Sequence, residues 1–266
     1  MPELGRAALV VALGLVLYAA LAGGYAAFRG RRRLHDSATN ALFAGFAAAG
    51  VASLVLLVAL AGPDFSFSYV ADSTSRELPL GYTLAAFWSG QAGSLLLWLL
   101  VLTGAASAAV VLNRRLVRDV LPWTVPIVAA VASFFAFLVV FVASPFETQV
   151  APADGAGMNP SLQNPYMMAH PPMLYLGYVG LTIPYAFAMA ALVSRRVDER
   201  WIVATRRWTL AAWTFLGFGI LLGAKWAYEE VGWGGWYAWD PVENAALMPW
   251  LVATAFLHSV MVQEKK

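Results

Sequence analysis

Three histidines and one tryptophan-dense loop are the residues of this sequence best suited to chemistry. His258 lies in an apolar run, nine residues past Pro249, roughly 13 Å along a helix that rises ~1.5 Å per residue. An ionisable side chain at that depth in a bilayer is costly and is a functional hypothesis by default. Leu251, Thr254 and Ala255 share its helical face, and these smaller neighbours leave room for a flat group. The bland alternative is a neutral imidazole hydrogen-bonded between helices. His170 stands in NPYMMAHPPMLYLGYVG, where Pro171 and Pro172 sit at a position from which proline can open a helix. With Tyr166, Tyr175 and Tyr178 nearby, it reads equally as an axial metal ligand and as an interfacial histidine that caps a helix. His35 follows the Arg29–Arg33 cluster and reads as solvated. Imidazole suits iron, zinc and copper alike, and one histidine per site needs a second ligand from elsewhere.

The loop GWGGWYAWDPVENAALMPWL, Gly232 to Leu251, holds Trp233, Trp236, Trp239 and Trp250 among glycines. Membrane aromatic belts place single Trp or Tyr residues at helix ends. Indoles concentrated in one loop instead suggest a platform for a large, planar, mostly apolar ligand. Asp240 precedes Pro241 and the start of a helix, and Glu243 falls in its first turn, where a carboxylate suits the helix dipole. Capping is the favoured role of both, while Glu229 and Glu230 beside Lys225 read as a surface cluster. No Ser-His-Asp order, phosphate-cradling glycine loop or paired histidines at i, i+4 is present, so hydrolase and nucleotide chemistries lack support and no catalytic residue is assigned. The chain has no cysteine, hence no disulfide, thiolate ligand or thiol to bond a cofactor.

The elements that must position these residues follow from composition. At 61% hydrophobic and 12% charged, the chain has a bilayer for its solvent. Runs of about 20 apolar residues, the length that spans a ~30 Å hydrocarbon core, occur near 7–28, 41–61, 93–112, 121–142, 173–193, 209–228 and 246–262. The expected fold is therefore an all-α polytopic membrane protein, a single transmembrane domain over 1–266 with about seven transmembrane helices. An outer loop at 144–172 would carry His170, and a Trp-rich loop at 229–250 would face the same way. Fourteen of the 17 Lys and Arg fall on one side of these spans and three, Arg6, Arg76 and Lys225, on the other. The Lys/Arg rule places the rich side in the cytoplasm, so the candidate loops all face outward. Small residues at 45–50 and 105–109 fit close helix packing. No internal repeat, soluble domain or nucleic-acid-binding feature appears.

WGGWYAWDPVENAALMPWL, Trp233 to Leu251, resembles the tryptophan-rich "WWD" segment of haem-handling membrane proteins. The continuation DPVENA, with a histidine eight residues after Trp250, and the loop DGAGMNPSLQNPYMMAHPPMLYLGYVG resemble the cytochrome c maturation protein F family. The resemblance implies a haem lyase of the bacterial inner (cytoplasmic) membrane with its working loops on the periplasmic side. Such a protein takes haem from a periplasmic haem chaperone and attaches it to the Cys-x-x-Cys-His motif of apocytochrome c, alongside thiol-handling maturation partners. By the resemblance Trp233, Trp236, Trp239, Asp240 and Trp250 would hold substrate haem. His170 would be its axial ligand, and His258 the ligand of a separate haem b within the membrane. Family members run to about twice this length and carry a second histidine for each site. The chain would thus hold one ligand of each pair, and a remaining C-terminal half or partner subunit would supply the others. Two further readings are a haem exporter or delivery subunit of the same pathway, which matches less well at Asp240–Ala245 and at 154–180, and a non-enzymatic membrane scaffold.

Overall fold

In lipid, a helix is the one open-ended structure that satisfies every backbone N–H and C=O within itself. The structure, a computed structural model, describes residues 1–115, 117–196, 200–232 and 235–263. Among the described residues the regular structure is helical, with one isolated bridge between Phe67 and Thr148. The helices are α1 (Pro2–Arg29), α2 (Arg32–Ala61), α3 (Ser68–Ser73), α4 (Leu80–Ala85), α5 (Gln91–Asn113), α6 (Leu121–Phe141), α7 (Pro165–Tyr178), α8 (Thr182–Val193), α9 (Arg200–Glu230) and α10 (Pro241–Gln263). Seven stretches are long and apolar enough to cross a membrane, the fifth being α7 and α8 together. The chain is an all-α polytopic membrane protein, as its composition implies.

Several helices outrun the apolar runs. α2 begins at Arg32 rather than near residue 41, and α9 at Arg200 rather than near 209. Arginine is a good helix former and its long stem can cover apolar surface while the charge stays wet, so a helix need not stop where hydropathy falls. The turn between α1 and α2 is made by Gly30, which adopts φ 65° while the amides of Gly30 and Arg31 both return to the Ala26 carbonyl. The fifth span corrects the expected loop boundary: helix starts at Pro165, not after Pro172. Asn164 caps it by accepting from the Tyr166 amide at 2.8 Å, with Pro165 at the first helical position. Pro171 and Pro172 consequently lie inside α7, and the outer loop ends at Asn164. Between α7 and α8 the chain tightens, the amides of Thr182 and Ile183 reaching back three residues to Val179 and Gly180.

α1, α2, α5 and α6 pack as a four-helix core, α8 bridges α6 to α9, and α7 lies along α9. α10 rests chiefly on α9 and leaves most of its surface bare. One end of the core, the end expected to face outward, is sealed by the 62–90 and 143–164 segments. The amides of Ser68, Gln149 and Ala156 bond across them to Glu147, Ser66 and Ala71 at 2.7–2.9 Å. Phe67 and Phe146 meet edge to face beneath, fully buried. Tyr69 pins the turn before α5: its hydroxyl donates to Ala86 O at 2.8 Å and accepts from the Gly90 amide at 3.1 Å. Burial pushes this phenol up to about 12.

Candidate functional site

The last three turns of α9 are where the candidate residues converge. Two glycines on that helix let α7 approach closely. At Gly219 a Cβ would stand 2.7 Å from the backbone of Leu174, and at Gly223 it would stand 2.5 Å from Cε1 of His170. The imidazole of His170 therefore lies in the space a side chain at Gly223 would fill. Its Nδ1 is 2.7 Å from the Gly219 carbonyl. A carbonyl only accepts, so Nδ1 carries the proton and Nε2 keeps its lone pair. Among the described residues nothing hydrogen-bonds Nε2. This pattern, one ring nitrogen anchored on backbone and the other free, is how proteins orient a metal-ligating histidine. His170 caps no helix; that role belongs to Asn164.

Of its expected aromatic neighbours only Tyr166, one helical turn away, shares its face. Tyr175 and Tyr178 turn toward α5, their rings 5.3 and 5.6 Å from Trp98, and the Tyr175 hydroxyl donates to Ser94 Oγ. Tyr166 instead faces Lys225, whose ammonium sits 5.7 Å from its ring centre, 5.7 Å from Tyr228 and 5.6 Å from Trp236. Glu229 pairs with Lys225 at 2.8 Å, and Asn164 Nδ2 donates to both Glu229 and Glu230 at 3.1 and 3.0 Å. Trp226 Nε1 donates to Ser161 O at 2.8 Å. One lysine thus joins the His170 face of α7 to the Trp-rich loop. The sequence signal was available, since Lys225 is one of three basic residues on the basic-poor side of the spans, but its aromatic surroundings come from three separate segments.

The tryptophans divide. Trp236 stacks on Tyr228 at 5.5 Å with half its surface open, and Trp239 stands 73% exposed beside Tyr237. Trp239 holds φ 60°, a left-handed conformation that costs a bulky residue of order 1 kcal/mol or more. Trp233 lies outside the described residues. Trp250 corrects the expectation of a four-ring platform. It belongs to α10, stacks on Trp213 of α9 at 5.4 Å and 14°, and seats its indole against Gly217. Glu229 and Glu230 likewise end α9, so the loop proper runs 231–240. Asp240 is the helix cap favoured from sequence: Oδ1 accepts from the Glu243 amide at 2.6 Å, while Glu243 accepts from the Ala238 amide at 2.8 Å.

His258 is exposed on the bare side of α10, not enclosed between helices of this chain. Its Nδ1 donates to Thr254 O one turn back at 2.8 Å, so Nε2 is again the free nitrogen. It lies about 25 Å from the start of α10 at ~1.5 Å per residue, well separated from His170. Among the described residues no group of three or more His, Asp or Glu could cage a metal ion, which leaves one imidazole per site. His35, expected in solvent, is half-buried with Nδ1 unpartnered at the other end of the bundle.

Comparison with known proteins follows the same residues. The cytochrome C assembly protein family matches residues 88–266, which include both histidines and the whole Trp-rich loop. The cytochrome c-type biogenesis protein CcmF of Escherichia coli (strain K12) is 43% identical over 268 residues, covering 100% of this chain and 41% of that protein. CcmF of Pseudomonas aeruginosa is likewise 43% identical, and NrfE of Haemophilus influenzae is 37% identical, covering 41% and 42% of their lengths. A solved structure named Cytochrome c Heme Lyase CcmF superposes with a TM-score of 0.84 at 38% identity, covering 100% of this chain and 42% of that one. The chain therefore spans about two-fifths of the length of these relatives. By fold, sequence and matched residues, it belongs to the cytochrome c assembly protein family and is similar to the N-terminal part of CcmF.

Proposed function

We propose that this chain supplies the outward aromatic platform and one histidine ligand for each of two haems in a cytochrome c haem lyase. The observation that carries this is the state of His170: Nδ1 held by the Gly219 carbonyl, Nε2 free, and the ring seated where only glycine leaves room. The residues fit haem in other respects. Trp236 and Trp239 present open apolar faces, and Lys225 beside Trp236 is placed to meet a carboxylate. Haem, when bound, supplies iron and the vinyl carbons to which cysteine thiols add. In this chain Nε2 of His170 would hold the iron, and the indoles of Trp236 and Trp239 would lie against the macrocycle. The thiols come from the Cys-x-x-Cys-His motif of apocytochrome c, because the chain has none.

His258 would be the ligand of a second, membrane-embedded haem b, with the opposite ligand coming from outside this chain. The haem substrate arrives from a periplasmic chaperone, and thiol-handling partners keep the apocytochrome reduced. The bacterial inner membrane holds the chain with its Trp-rich loop on the periplasmic face. The test uses the full-length protein carrying this chain, with haem delivered by the chaperone. His258→Ala should abolish the low-spin membrane haem spectrum and spare capture of delivered haem, and His170→Ala should do the reverse. Identical spectra for the two variants would overturn the two-site assignment.

A further inference from the structure

At the end of the bundle opposite the Trp-rich loop, the α1–α2 turn, the α5–α6 link and the end of α8 line an open hollow of about 1220 Å³. Its rim carries Arg31, Arg32, Arg114, Arg115, Arg118 and Arg196 against two carboxylates, Asp36 and Asp119. Each of the six arginines is exposed, and among the described residues none of them pairs with a carboxylate. Asp119 is approached at 3.7 Å by Arg200, which is not on the rim, so part of the small negative charge is already shared elsewhere. The distribution of Lys and Arg that orients a membrane protein requires basic loops. It does not require three loops to turn their arginines onto one hollow, where like charges repel. An anion among them removes that repulsion.

The walls say what kind of anion. Phe43, Val110, Leu121 and Trp123 line the hollow with apolar surface, which a small hydrated ion would leave uncovered. The volume corresponds to about 40 waters at ~30 Å³ each, far more than one inorganic phosphate fills. His35 Nδ1 is buried in the same cavity wall without a hydrogen-bond partner, a polar atom awaiting a ligand oxygen. Guanidinium forks match phosphate oxygens two at a time, and basic pockets between membrane helices are suited to phospholipid headgroups.

We propose that this hollow binds the phosphate headgroup of an anionic phospholipid, its glycerol against His35 and its acyl chains along the Phe43–Val110 wall. The site is independent of the haem-binding residues, which lie at the other end of α9. Native mass spectrometry of the full chain released from membranes should show a retained anionic phospholipid. Arg114→Gln with Arg118→Gln should reduce that retention about tenfold. Arg114→Lys with Arg118→Lys keeps the charge and the topology but loses the fork, and should still reduce it several-fold. Arg33→Gln, outside the hollow, should leave it unchanged. After delipidation, nanodiscs containing phosphatidylglycerol should restore the adduct and pure phosphatidylcholine should not. Restoration by phosphatidylcholine alone, or unchanged retention in both double variants, would overturn the site. If inorganic phosphate binds the delipidated chain with the same arginine dependence and displaces the lipid, the ligand is free phosphate and the lipid assignment fails.

Discussion

At the scale of single residues, the informative pair is His170 and Gly223. A methyl group at Gly223 would stand 2.7 Å from Nδ1, so the imidazole or the helix must shift and the bond to Gly219 O is lost. Loss of such an orienting partner costs about 10- to 100-fold in metal affinity. Gly223→Ala should therefore weaken outer haem binding by about that factor, measured by haem titration. Gly14→Ala, where a Cβ meets nothing within 4 Å, should have no effect. Equal affinity in both variants would show that ring orientation is unimportant. Tyr69 offers a second test at this scale. Its phenol is held near 12 against an ordinary value of 10, so the folded state keeps the proton that the unfolded chain gives up above 10. Its contribution is full below that value and lost as pH rises through about 12. Alkaline unfolding should lose this step in Tyr69→Phe, which ultraviolet phenolate absorbance would follow. The two haem-candidate histidines could be picked out from sequence because imidazole is rare in apolar surroundings. Gly219 and Gly223 could not, since what they accommodate, the backbone of Leu174 and the ring of His170, lies about 50 positions earlier.

At the scale of elements, the structure departs from the sequence expectation at the ends of helices. Hydropathy marks where a chain enters lipid, whereas a helix ends where its last backbone groups find other partners. The Pro171–Pro172 pair drew the expected start of α7 too late, because the signal that fixes it is Asn164-Pro165 six residues upstream. The same rule governs α10. Asp240 holds the Glu243 amide, so Asp240→Ala should cost about 1 kcal/mol. That loosening is local, about fivefold, and would be read as faster hydrogen exchange at Glu243 and Asn244. Asp240→Asn, which still accepts the bond, should exchange nearly as the parent does. If the asparagine variant instead lost haem capture with normal exchange, Asp240 would be a ligand-contacting residue rather than a cap. Trp250 departs from the loop for a related reason: the motif is continuous in sequence, but Pro241 starts a helix in the middle of it and carries Trp250 onto α9.

At the scale of the whole molecule, two ends with opposite chemistry emerge from one charge count. The segments at the Trp-rich end are tied to each other through side chains: the Arg76 amide donates to Asp154, and Asn164 Nδ2 donates to Glu229 and Glu230. The opposite end gathers arginines from three links around one hollow. The segregation of basic residues to one end was legible in sequence, since it depends on totals, and it carries the expectation that this end meets the cytoplasm. The arrangement of α10, bare along the side that bears His258, was not, because it depends on what packs against that side. The absence of native cysteine makes sidedness directly measurable. Val150, 94% exposed in the 143–164 segment, and Arg33, exposed at the opposite end, are sites where a single thiol disturbs no contact in the core. In intact spheroplasts a membrane-impermeant maleimide should label Val150→Cys at once and Arg33→Cys only after lysis. The reverse pattern would place the Trp-rich loop and His170 in the cytoplasm, away from any periplasmic apocytochrome. That result would remove the lyase reading while leaving the helical fold untouched.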